Sequence, residues 1–117
     1  LHLQGLRFGG VGETLAWVEV FVHSSYSGIL KQLKKHSGPI YGLIEQAYGL
    51  RVEEVVQTMR GADVPEALRE RLKIAPYEGV LEIERIYKTA NRKVIEISFS
   101  YYALGSFRYS MSLRREI

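Results

Sequence analysis

Two stretches of the chain repeat one alternation of apolar and polar positions. In Leu3–Ser25 and again in Leu81–Tyr102, a run containing Arg7 or Arg85 leads into a turn-prone stretch, Gly9-Gly10-Val11-Gly12 or Thr89-Ala90-Asn91-Arg92. An alternating strand follows in each, carrying one glutamate, Glu19 or Glu96. Each stretch predicts a β-hairpin, and together they predict an internal duplication within one sheet of pseudo-twofold symmetry. Matching the glutamates sets Val18, Val20 and Val22 against Ile95, Ile97 and Phe99. It also places Trp17, Glu19, Phe21 and His23 beside Glu96, Ser98, Ser100 and Tyr102, because side chains alternate across a strand. Such mixed faces suit a small-molecule pocket better than a dry core.

Between the hairpins the period changes to that of helices. Ile29, Leu30 and Leu33, with lysines between them, predict a short amphipathic helix in Ser24–Ser37 that His36-Ser37-Gly38 ends. Pro39 opens a second helix through Ile40, Leu43, Ile44 and Ala47, and Gly49 stops it. Val52–Arg60 is expected to be a strand. Asp63-Val64-Pro65-Glu66 has the pattern of a capping box, which starts a helix running to about Leu72 with Ala67, Leu68 and Leu72 inward. A last strand is expected over Phe107–Leu113, where Phe107, Tyr109, Met111 and Leu113 alternate with Arg108, Ser110 and Ser112. The order is two strands, two helices, a strand, a helix and three strands. That is an α+β fold with a mostly antiparallel sheet.

Composition narrows the class. The 117 residues fit one domain, and 46% hydrophobic content is enough for a single core. A formal charge of +3 comes largely from Lys31, Lys34, Lys35, Arg114 and Arg115, which read as solvated ends and not as a nucleic-acid stripe. The absence of cysteine rules out disulfides and thiolate metal sites and is compatible with the cytoplasm. No apolar run approaches the ~20 residues of a membrane span, and no signal peptide opens the chain.

Candidate chemistry is sparse. Gly9-Gly10-Val11-Gly12-Glu13-Thr14 lacks the Gly-Lys-Ser/Thr ending of a phosphate loop and joins two strands, so it reads as a hairpin turn. His2, His23 and His36 are too scattered to hold a metal, and His23 reads as a bystander at a strand end. Glu19 and Glu96, equally placed on related hairpins, would approach one cleft as paired carboxylates. No nucleophile accompanies them, and Arg7 and Arg85 are their natural ion-pair partners. Only Arg108 is interleaved with the aromatics Tyr101, Tyr102, Phe107 and Tyr109, so these read as sheet packing and not as a base-stacking platform.

Several segments in order carry a resemblance: Pro39-Ile40-Tyr41-Gly42-Leu43-Ile44-Glu45-Gln46 with Tyr48-Gly49-Leu50, then Ala67–Ile74 ahead of Leu81-Glu82-Ile83-Glu84-Arg85, then Ser106–Arg115. Across nearly its whole length the chain resembles the UTRA domain, the effector-binding half of HutC-like regulators in the GntR superfamily of bacterial transcription factors. The resemblance implies a chorismate lyase-like fold with helices on one side of the sheet and an internal duplication. It implies one UTRA-like domain over residues 1–117, slightly short at its N-terminus, with the winged-helix DNA-binding domain outside this chain. It further implies a cytoplasmic homodimer that binds a small metabolite, needs no cofactor or metal, catalyses nothing, and reaches DNA only through the winged-helix domain.

Carried over residue by residue, the resemblance assigns Arg7 to an anionic group of the effector and Glu19 and Glu96 to the pocket. It places Tyr41 at a helix start and Tyr102 on the pocket's second strand. Trp17, Phe21 and Ser98 complete the expected lining through the strand faces read above. The chain departs from phosphosugar-binding members at Gly5, where they carry a second arginine, and at Pro39, where they carry serine or threonine. It departs again at Ala103-Leu104-Gly105-Ser106, in place of Arg-x-Asp. Fewer anion ligands favour a small carboxylate or another weakly charged effector over a sugar phosphate. Two other functions share the fold: a chorismate lyase-like enzyme, and a dimerisation module whose pocket has degenerated.

Overall fold

The computed structural model describes residues 1–9 and 14–115, so the glycine turn read at residues 10–12 lies outside the described residues. Both hairpins form. Strands β1 (His2–Gly9) and β2 (Thr14–Val22) pair antiparallel from His2 opposite Phe21 to Gly9 opposite Thr14. Strands β4 (Val80–Thr89) and β5 (Val94–Ala103) pair from Val80 opposite Ala103 to Lys88 opposite Val94, with an irregularity after Tyr87. Their turn lies where the sequence places it. The Arg92 N–H donates to the Thr89 carbonyl at 2.9 Å, and Arg92 takes a positive φ of 64°.

The hairpins join through β2 and β5, which pair antiparallel from Ala16 opposite Tyr102 to Val22 opposite Glu96. Strand β3 (Val52–Ala62) adds to the outside of β4, giving a five-stranded sheet in the order β1-β2-β5-β4-β3. β3 runs two residues past the expected Arg60.

Each sheet face has its own apolar cluster. On one face, Val20 and Val22 pack with Tyr87 and Ile95 against Tyr26 and Ile29 of a 3-10 segment (Ser24–Lys35) and Leu43 and Ile44 of helix α1 (Ile40–Tyr48). Pro39 precedes α1, and Gly49, at φ 64°, ends it in the left-handed conformation that glycine adopts most easily. On the opposite face, Trp17, Tyr101, Ala103 and Val80 meet Leu68, Leu72 and Ile74 of helix α2 (Glu66–Arg71) and the turn that follows it. Trp17 and Val18 are consecutive in β2 and belong to different clusters, as strand alternation requires. Helices on one side therefore describes only the 3-10 segment and α1, because α2 covers the other face.

Two further expectations change. The residue before α2 is Pro65, in an extended conformation (φ −57°, ψ 150°), with no side-chain cap bond. A residue preceding proline is driven out of helical geometry; with Val64 so restricted, the helix starts three residues beyond Asp63 and the capping box does not close. The Asp63 carboxylate instead stands 3.7 Å from the Arg69 guanidinium. Residues 107–113 do not form a strand. Both neighbours of β5 are taken by β2 and β4, the segment joins neither outer strand, β1 or β3, and alternation without a partner strand makes no ladder. Phe107 packs its ring against Tyr102 at 5.5 Å, while Tyr109, Met111 and Leu113 stay exposed.

Candidate functional site

The face under α2 holds a cleft of about 490 Å³. Its floor is one row of residues across four strands. Trp17 of β2 stands opposite Tyr101 of β5, Tyr101 opposite Glu82 of β4, and Glu82 opposite Arg60 of β3. Glu19 extends the row along β2, and the wall is made by Asp63, Val64, Pro65, Ala67, Leu68 and Arg71. A single register thus brings an indole, a phenol, a carboxylate and a guanidinium into line on one face.

The charges are arranged in pairs. The Glu82 carboxylate is buried, with 5% of its residue surface exposed, and accepts two hydrogen bonds from Arg60, Nε to Oε1 at 2.7 Å and Nη2 to Oε2 at 3.2 Å. This is the forked geometry in which arginine holds a carboxylate best. Burial pushes the Tyr101 phenol up to about 12, helped by the charge of Glu82 and a hydrogen bond to it, so Tyr101 is a neutral donor at ordinary pH. The Arg71 guanidinium lies 5.3 Å above the Trp17 ring, a cation–π distance. Glu19 accepts from Gln4 at 2.6 Å and stands 3.4 Å from His2.

The residues expected to line one pocket divide between the two faces. Trp17 and Glu19 line the cleft. Phe21 is on the same face but beyond it, stacked on His2 at 4.2 Å and edge-on to Phe99 at 6.0 Å. Ser98 and Tyr102 share the other face, opposite Val20 and Ala16. Glu96 lies there too, buried opposite Val22, and Tyr41 stacks on Tyr87 at 4.9 Å. Arg7 stands opposite Ala16 in the register, and its side chain lies outside what the structure describes.

The split has a simple cause. Glu19 pairs with Phe99, three positions from Glu96, and an odd offset along a strand changes face. Glu19 and Glu96 are therefore separated by the sheet and cannot act as paired carboxylates. The Arg85 Nε donates to Gln57 Oε1 at 2.8 Å, and in the register Arg85 stands opposite Ser98, on the face of Glu96 and not on that of Glu19. The His23 Nδ1 accepts from the Ser25 N–H at 3.1 Å. Sequence reasoning missed Arg60, Arg71, Glu82 and Tyr101. The signal that finds Arg60, Glu82 and Tyr101 is the β3–β4–β5 register, which no local pattern displays, and Arg71 follows from the packing of α2 over Trp17.

The UTRA domain model matches residues 12–108, most of the chain. The chain belongs to the UTRA domain family. Among curated proteins none matches the sequence. Solved structures share the UTRA architecture at low identity. A GntR-family regulator from Enterococcus faecalis superposes with a TM-score of 0.77 at 18% identity, over 96% of this chain and 79% of that one. The effector-binding domain of the Bacillus subtilis trehalose repressor gives 0.71 at 17%, over 99% and 81%. The ligand-binding domain of a GntR-family regulator from Bordetella bronchiseptica gives 0.69 at 20%, over 86% and 70%. Family and fold together make this UTRA domain a ligand-sensing regulatory domain.

Proposed function

We propose that this UTRA domain senses a small, weakly charged metabolite in the cleft between α2 and the sheet, as the effector half of a HutC-like regulator. The observation that supports the site is the row Trp17–Tyr101–Glu82–Arg60 beneath α2, which puts apolar ring surface beside directed polar groups. Arg71 holds an anionic group such as a carboxylate. Glu19 accepts from a hydroxyl or an amine, and Trp17 and Tyr101 flank the ligand's apolar body. Glu82 and Arg60 neutralise each other, so a doubly charged phosphate gains little here. Arg7, the residue that the resemblance assigns to the anion, is the alternative holder of the charged group.

In this reading the domain binds its effector unchanged and catalyses nothing. It acts in the cytoplasm as a homodimer, and an attached winged-helix domain makes the DNA contacts. Among the described residues no helix is long and apolar enough to cross a membrane. The effector changes DNA affinity only as far as it binds two dimer arrangements unequally.

Thermal unfolding against a panel of carboxylates, amino acids, sugar phosphates and fatty acids tests the reading. A ligand at ~100 times its Kd adds ~2.7 kcal/mol, a shift of several degrees for a domain of this size. Arg71→Ala is expected to weaken a carboxylate effector by ~1.5–3 kcal/mol, as for loss of a charged hydrogen bond. A shift abolished by Arg7→Ala and untouched by Arg71→Ala would move the site off this face. No shift with any compound would refute the sensor.

A further inference from the structure

Glu19, Arg60, Asp63, Arg71 and Glu82 are the charged side chains lining the cleft beneath α2, and the chain balances only some of them. Glu82 is matched by the Arg60 fork, and Asp63 stands 3.7 Å from Arg69. Glu19 and Arg71 are left over. Among the described residues the polar contacts of the Glu19 carboxylate are a neutral amide, Gln4 at 2.6 Å, and the His2 imidazole at 3.4 Å, which balances it only when protonated. Arg71 forms no ion pair among the described residues and lies instead over the Trp17 ring at 5.3 Å. Glu19 is two residues beyond Trp17 on the same face of β2, ~6.6–6.8 Å along the strand. One unmatched carboxylate and one unmatched guanidinium therefore border a single indole.

We infer that the effector is a zwitterion of the ω-amino acid type, with an ammonium at Glu19, a carboxylate at Arg71 and a short apolar chain between them across Trp17 and Tyr101. The inference rests on the cleft being the effector site. A plain carboxylate drawn to Arg71 enters the field of Glu19 beside the same indole and leaves that charge unmatched. A plain amine at Glu19 does the same to Arg71. Charge left uncompensated where a ligand excludes water is costly, and a ligand bearing both signs removes both costs. A hydroxyl at Glu19 makes a hydrogen bond but leaves the negative charge in place, and bonds between two charged groups are the stronger ones. Tyr101 commits its hydroxyl to Glu82, so it offers the ligand ring surface, as Trp17 does. Aromatic faces beside a carboxylate also favour an organic ammonium. Because Glu19 and Arg71 do not pair with each other, the ligand's charges must stand farther apart than the partners of an ion pair. An apolar chain between them meets that need, and the head of an α-amino acid alone does not.

Calorimetric titration with γ-aminobutyrate, δ-aminovalerate and ε-aminocaproate tests the inference, with valerate and pentylamine as the single-charge analogues of δ-aminovalerate. The best of the three zwitterions is expected to bind about tenfold or more tighter than its single-charge analogues, the effect of one charged hydrogen bond. Glu19→Gln is expected to bring the zwitterion down to the level of the carboxylate, and Arg71→Gln down to that of the amine. Glu53→Gln removes a carboxylate that pairs with Arg51 outside the cleft and leaves the preference intact. Circular dichroism confirms that the three variants fold. Valerate bound as tightly as δ-aminovalerate overturns the inference and leaves the sensor standing. A preference for the zwitterion that Glu19→Gln does not change overturns it too, since the ammonium then lies elsewhere. So does a thermal shift by another class of metabolite where the ω-amino acids give none. Silence from every compound refutes the sensor itself, and this inference with it.

Discussion

Glu82 meets water hardly at all, yet two neighbours share its charge, the Arg60 fork from one side and the Tyr101 hydroxyl from the other. A buried carboxylate survives only when such partners replace its hydration. The effect on Tyr101 is measurable. Its pKa in the folded chain, about 12, lies above the ordinary 10, so its contribution to stability is complete below pH ~10 and is lost as pH climbs through about 12. Spectrophotometric titration should show a tyrosinate step near pH 12 that Tyr101→Phe removes. Tyr87, raised by burial and by the charge of Glu96, titrates late as well and remains in that variant. Loss of a step near pH 10 instead would mean that the Tyr101–Glu82 contact does not form in solution.

At the scale of elements, α1 and the two hairpins were legible because their signals are local. Pro39 and Gly49 bracket one helical stripe, and Thr89–Arg92 closes one turn. Gly49 carries a specific cost. No atom comes within 4 Å of the position a Cβ would take, so Gly49→Ala suffers only the backbone penalty of a left-handed residue, about 1–2 kcal/mol. Gly49→Asn should lose much less, and urea unfolding separates the two. Equal losses would point to hidden packing. The capping box at Asp63 was misread because Pro65, inside the motif, restricts Val64. The strand at 107–113 was misread because alternation reports which side chains would share a face, not whether the chain carries the segment to one of the outer strands, β1 or β3. Half of the site was equally out of reach. Trp17 and Glu19 stand in a recognisable hairpin, whereas Arg60 meets Glu82 only through a register between strands separated by α2.

In the whole molecule, the sheet separates two clusters that lean on different helices. Ile44 is fully buried with α1, and Ile74 is buried beyond α2 on the other side. Ile44→Val and Ile74→Val should each cost about 0.5–1.5 kcal/mol. Their combination should equal the sum within about 0.5 kcal/mol, because the sites share no partners. A larger departure in chemical denaturation would show that the sheet transmits strain between its faces.

The pairing of β2 with β5 bears on how the chain reaches this state. The centre of the sheet is made by strands from opposite ends of the sequence, with α1, β3, α2 and β4 between them. Each hairpin can zip early through neighbouring residues, but the seam must wait until β5 exists and a long loop has closed. On a translating ribosome the first hairpin is thus held with its β2 edge bare until nearly the whole domain has emerged. The slow and aggregation-exposed moment in the life of this domain is that interval, before its own last strand arrives.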